Sequence, residues 1–192
     1  MNDPRIIFSR AVAQTESIVA AVRPGQASLP TPCTEWDVHK LVTHMVGGVL
    51  RAALIGEGAD ALSLPPFADP GDDWAAAYRA AGARAAAAWA DDAKLDALFA
   101  VPWGKVPGRA AVAGYAREVV AHGWDLAVAT GQETERDPEL GAFALEVSRL
   151  SLPPEGRENI PFGALVQAPA GAGVYAKLAA WLGRTVPTTP PS

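Results

Sequence analysis

Cysteine occurs once in this chain of 192 residues, at Cys33, so an intramolecular disulfide and any cysteine-rich zinc module are excluded. A lone thiol suits a reducing compartment, and a cytoplasmic protein is expected. Basic charge is also short: 16 Lys and Arg against 21 Asp and Glu leave a formal charge of −5. That sign opposes attraction to phosphate backbones or anionic lipid, so neither nucleic acid nor a membrane surface is an expected partner. No stretch approaches the 18 or so consecutive apolar residues of a membrane span. The opening MNDPRIIFSR sets Asp3, Pro4, Arg5 and Arg10 around three apolar residues, which is not the apolar region of a signal peptide. Absent too are G-x-S-x-G, a Walker loop and G-x-G-x-x-G, which removes triad hydrolases and nucleotide binding from consideration.

What is present is helix-forming. Hydrophobic residues make up 49% of the chain and alanine alone about a fifth, punctuated by 18 glycines and 17 prolines. The length is close to one typical domain of about 150 residues, so a single domain over 1–192 is expected, with a loose tail from about 185.

Apolar residues recur at helical spacing in four long segments. The first runs from about Arg5 to Val22, with Phe8, Val12, Thr15 and Val19 on one side. In the second, Val38, Leu41, Val42, Met45, Val49 and Ala53 form the stripe, and Thr34 followed by Asp37 is a variant capping box at its start. The third, about Asp72 to Asp92, is alanine-rich with Trp74, Tyr78, Ala81, Ala85 and Trp89 on one face. The fourth, Arg109 to about Thr130, carries Val112, Tyr115, Val119, His122 and Leu126, with Gly131 placed to end it. Residues 98–108 read as a turn or short extended excursion, about Pro138 to Leu150 as a shorter helix on Leu140, Phe143, Val147 and Leu150, and 174–182 as a last apolar turn or two. The pattern predicts an all-α four-helix bundle with short extra helices near the C-terminus and at most a small extended hairpin.

Only three histidines exist. His39 and His44 are five apart, about 140° around a helix, and cannot share a small site. His39, beside Lys40, reads as a surface residue. His44 lies at the edge of the core stripe before Gly47-Gly48, either as a core histidine with one hydrogen bond or as a ligand. Glu118 and His122 stand one turn apart on one helix face, either as a surface pair or as ligands. With His44 facing them across the bundle, two imidazoles and one carboxylate would suit zinc or several other divalent metals. Cys33, just before a helix start, is either an activated thiol or a small buried hydrophobe. Asp125, one turn past His122, either orients a ligand or is solvated.

Two stretches, TPCTEWDVHKLVTHMVGG (31–48) and YAREVVAHGWDLAVATGQ (115–132), with the later ENIPFGALVQAP and KLAAWLGR, resemble the actinobacterial branch of the DinB-like bundles related to the N-terminal domain of mycothiol-dependent maleylpyruvate isomerase. The resemblance covers nearly the whole chain. It implies a metal-binding four-helix bundle with His44, Glu118 and His122 as ligands of a divalent metal, zinc first, nickel or another second. It further implies thiol chemistry, with mycothiol or another low-molecular-weight thiol and a small electrophile as partners. The isomerase carries a further C-terminal domain, so that particular reaction is not carried over.

Three protein ligands leave a coordination position open, as in catalytic zinc sites. A thiol there gives an S-transferase or isomerase, and water gives a metal-dependent hydrolase. A non-catalytic metal- or small-ligand-binding bundle of stress response needs the same three ligands, a metal-free helical scaffold needs none, and a homodimer stays open. Proton competition for the histidines predicts metal loss below about pH 6.5.

Overall fold

The computed structural model describes residues 3–186. Helix α1 (Pro4–Ala20) opens on Asp3, whose side chain accepts from the Arg5 N–H, with proline in the first turn where its missing donor costs nothing. α2 is Val38–Glu57, α3 Trp74–Ala88, α4 Gly108–Thr130, α5 Pro138–Ser151 and α6 Val174–Trp181. Strands β1 (Leu98–Val101) and β2 (Gly104–Pro107) form an antiparallel hairpin in the stretch read as an extended excursion.

α1 packs on α3 and α4, and α2 packs on the same two, which closes a ring of four helices. α5 and α6 pair with each other and lie against α4. The predicted stripes fill the interior: Phe8, Val12, Leu41, Val42, Val49, Tyr78, Ala85, Val112 and Leu126 are all buried. Small residues set the spacing. A Cβ on Gly82 would lie 2.5 Å from Val12, and one on Gly56 would lie 2.9 Å from the Trp89 ring, so α3 approaches both neighbours only because these side chains are missing. Gly131 ends α4 at φ 69°, the left-handed cap expected of it.

Four expectations need correction. The cap of α2 is Asp37 alone, accepting from the Lys40 N–H, while Thr34 lies in a turn ahead of it, so no Thr34–Asp37 box forms. Cys33 in that turn is therefore not at a helix N-terminus. α3 stops at Ala88 rather than near Asp92, because Asp91 caps a separate 3-10 turn over Asp92–Leu95. Leu150 is 74% exposed, and Leu145 takes the buried place in α5. Although no unbroken apolar run was found, α2 is long and apolar enough by composition to cross a membrane; yet 61% of its apolar window is buried inside the protein, as befits a helix packed between two others. Of the tail expected from about 185, residues 187–192 lie outside the described ones.

Candidate metal centre

α2 and α4 are neighbours, and their facing sides carry His44 on one and Glu118 and His122 on the other. Glu118 Oε1 lies 3.9 Å from His44 Nε2 and 3.6 Å from His122 Nε2. The two imidazoles meet nearly edge to face, with ring centroids 4.9 Å apart. Donors around one tetrahedral ion at 2.0–2.2 Å are about 3.4 Å from each other, so both histidine–carboxylate distances lie within about half an ångström of that spacing, and the three ligand atoms all lie within 4.8 Å of one another.

The other nitrogen of each ring is already committed. His44 Nδ1 is 3.1 Å from the Pro66 carbonyl, which can only accept, so that nitrogen carries the proton. His122 Nδ1 donates in the same way to Asp125 Oδ2 at 3.0 Å. Both neutral rings would thus present an Nε2 lone pair to Glu118. A carbonyl or carboxylate behind a histidine is the usual way a ligating ring is held and made more basic. The Pro66 contact depends on Gly47: a Cβ there would lie 2.9 Å from the Pro66 oxygen, so glycine admits the loop across α2. Gly47 thus makes room for the loop that carries Pro66 and Ala68. Gly123 faces Thr15 of α1 and does not open the site.

Trp36 covers the rings, 4.6 Å from that of His44 and 6.1 Å from that of His122. It is aimed by the turn before α2, in which Glu35 adopts φ 70° and Thr31 donates its hydroxyl proton to the Trp36 carbonyl at 2.9 Å. A non-glycine residue in this left-handed conformation costs about 1 kcal/mol or more, a strain of the kind found at functional sites. His39 is exposed and packs against Trp74, away from the centre, as its angular position required.

A second polar cluster lies on the far side of His122. Asp125, fully buried, receives both arms of Arg184 at 2.7 and 2.8 Å and the Cys33 thiol at 3.1 Å. Cys33, His122 and Asp125 also lie close enough together to offer three ligand atoms. Arg184 already neutralises Asp125, however, and comes within 3.7 Å of the sulfur, so a cation there would meet a cation in place. The alternative of a solvated Asp125 is removed, and Cys33 is a hydrogen-bonded, half-buried thiol rather than an apolar filler.

The charges are strongly coupled. Burial works to raise the Glu118 carboxyl, but Arg117 and the two histidines outweigh it and hold it well below the usual range. For His122, burial works downward while Asp125, then Cys33 and Glu118, hold its protonated form well above the ordinary value. Burial also opposes the ionised Asp125, yet Arg184 and then His122 keep its carboxyl depressed. Arg117 bonds Glu118 Oε2 at 2.9 Å, which leaves Oε1 to the histidine side.

Sequence reading did not single out Arg117, Arg184, Trp36 or Pro66. An isolated arginine in the apolar WLGR ending was the available sign for Arg184, since a buried aspartate requires a partner. Nothing in the sequence pointed to a backbone carbonyl.

Residues 8–127, which contain all three proposed ligands, match the family of the mycothiol maleylpyruvate isomerase N-terminal domain. The chain belongs to this family. Two uncharacterized proteins of Mycobacterium tuberculosis, from the strains CDC 1551 / Oshkosh and H37Rv, are each 38% identical to it over 185 residues, covering 96% of this chain and 99% of the relative. No solved structure matches it. Within this family member, Asp125 falls inside the matched segment, whereas its partner Arg184 lies beyond it.

Proposed function

We propose that the chain binds one divalent metal, zinc first, through His44, Glu118 and His122, and acts as an S-transferase or isomerase on a small electrophile with a low-molecular-weight thiol of the mycothiol kind. The observation that carries this reading is the pair of tethered imidazoles: Pro66 and Asp125 hold the two Nδ1 atoms, and both Nε2 atoms face one oxygen of Glu118. The donor set suits a borderline metal, and its single negative charge leaves the centre short of one anion. A divalent ion held by these residues would lower the pKa of a bound thiol below its free value of about 8.5 and so would supply a thiolate at neutral pH. The chain's own part is to orient the two rings, to keep Glu118 ionised through Arg117, and to shield one side with Trp36. Family membership supports the thiol, since mycothiol stands in the family's description.

The test is to load purified protein with Zn²⁺, supply a thiol and a small electrophile, and measure conjugate or isomer. Turnover that disappears with chelation and in His44→Ala is expected. Metal uptake with no turnover for any thiol would leave a non-catalytic binding bundle and overturn the enzymatic part. Turnover with water in place of thiol would make it a hydrolase.

A further inference from the structure

The β1–β2 hairpin turns tightly: Val101 pairs with Gly104, and only Pro102 and Trp103 lie between them. A side chain at such a tip ordinarily points into solvent, but Trp103 lies back on α4. A Cβ on Gly114 would stand 2.7 Å from its ring, so a missing side chain makes the seat, and the ring centroid is 5.2 Å from that of Tyr115. At about 100° per residue, Glu118 falls about 40° from Gly114 and about 60° from Tyr115, between the two and one turn further along α4. The indole thus rests on the strip of α4 that leads to Glu118, a step of about 5–6 Å away. It is still 48% exposed. Across from it, Gly48 follows His44 by one turn on α2 and lines the same pocket as Tyr115 and Glu118. No other part of the chain lies within 4 Å of where a Cβ on Gly48 would stand, so there is open space beside the strip.

The other borders of the centre are aromatic too. Trp36 and Phe67 flank His44, with ring centroids 4.6 and 5.7 Å from it, and the Arg117 guanidinium stands 5.2 Å over the Phe162 ring. Aromatic faces favour a flat ring beyond the area it buries. A cation is the other guest of an indole face. Arg51, close enough for its charge to act on the Tyr115 phenol, opposes a cation here, and Glu118 is already held by Arg117. We propose that Trp103 is the platform for a flat, uncharged conjugated or aromatic group on the molecule bound at the neighbouring centre. The inference rests on the metal reading given above and narrows its substrate class to small molecules that carry such a group a bond or two from the atom at the metal. Trp103 binds that group and takes no part in bond making.

The test compares the affinities of two thiols for zinc-loaded protein: benzyl mercaptan, whose ring is flat, and cyclohexylmethanethiol, which has the same carbon skeleton with a puckered, saturated ring. Zinc uptake is measured first, without thiol, in wild type, Trp103→Leu, Trp103→Phe and Gly114→Ala, and is expected to stay level because no ligand side chain is altered. The ratio of the two thiol affinities is then compared between variants, since the acidities of the thiols themselves are common to all. Wild type is expected to favour the flat thiol about fivefold more than Trp103→Leu does, with Trp103→Phe in between. Gly114→Ala keeps the indole in the chain but unseats it, and is expected to behave as Trp103→Leu; it gives the reading should Trp103→Leu fail to take up zinc. A ratio unchanged from wild type in Trp103→Leu or Gly114→Ala overturns the platform and assigns any stacking to Trp36 or Phe67. Absence of zinc uptake in wild type would instead refute the metal reading, and the platform with it.

Discussion

The two sides of His122 hold similar residue types and differ in how far their charges are settled. On the Nδ1 side, Asp125, Arg184 and the Cys33 thiol are packed together, and the one carboxylate is answered by both arms of a guanidinium. On the Nε2 side, one carboxylate oxygen serves two imidazoles at 3.6 and 3.9 Å, beyond good hydrogen-bond length, with 30% of the Glu118 side chain exposed. The first cluster is complete without a ligand and fixes the ring; the second is left open by distance and by charge. A shared histidine thus joins a structural pair to a proposed binding set, and a list of metal-ligating residue types would not separate them.

The largest effect is expected from breaking the closed side. Asp125→Asn leaves Arg184 buried opposite a neutral amide, and loss of a buried pair's partner costs about 3–5 kcal/mol of stability. Zinc affinity should fall about 10- to 100-fold as well, since the ring loses its orienting acceptor. Denaturant melts of the metal-free protein and zinc titrations measure the two effects separately.

Breaking the open side should do the reverse. His44→Ala removes one of three donors and should abolish tight zinc binding while metal-free stability changes by only about 1 kcal/mol, because the Val, Leu and Ala stripes hold the helices. Glu118→Gln keeps the shape but removes the charge, so affinity should drop while the fold persists. A melting midpoint in His44→Ala displaced as far as in Asp125→Asn would erase the distinction.

The two carboxylates and the histidine between them also predict opposite responses to pH. Asp125 and Glu118 are depressed in the folded protein, so their stabilisation is complete above their unfolded values of about 3.9 and 4.3 and is lost as pH falls through the lower folded values. His122 is raised, so its contribution is complete below about 6.5 and is lost as pH rises through its higher folded value. From these groups, metal-free stability should therefore be greatest between about pH 4.3 and 6.5. Zinc affinity should instead keep rising above pH 6.5, because a proton on His122 competes with the ion well above its ordinary value. The sequence alone set that competition at about pH 6.5; the Asp125 contact moves it upward. Calorimetric titrations in buffers of different ionisation enthalpy at neutral pH should show about one proton released per zinc bound.

The smallest effects belong to residues outside both clusters. His39→Ala should change neither zinc affinity nor stability measurably, and a zinc titration checks it. A loss comparable to that of His44→Ala would mean that the wrong histidine of α2 has been chosen.

How far the site could be read in advance follows from which contacts are local. The proximity of His44, Glu118 and His122 was legible because helical spacing places them on facing stripes, and the resemblance carried by LVTHMVGG and EVVAHGWD pointed to the same three residues. Asp125 was legible as a neighbour one turn away, but its role was not, because Arg184 reaches it from 59 residues further along the chain. The Pro66 carbonyl is a backbone group admitted by the absence of a side chain at Gly47, and no residue type marks such a contact. The cap of α2 was misplaced for a similar reason: Thr34 and Asp37 have the spacing of a box, but a turn around Glu35 intervenes. The bundle itself needed only the stripes and the glycines and prolines between them.

X-ray absorption at the zinc edge of the wild-type protein, loaded with one equivalent of Zn²⁺ in thiol-free buffer, tests the central distinction most directly. Ligation by His44, Glu118 and His122 predicts a first shell of nitrogen and oxygen alone at about 2.0–2.2 Å, with imidazole scattering beyond it. A sulfur neighbour at about 2.3 Å would place the ion on the Cys33 side of His122 and contradict the account.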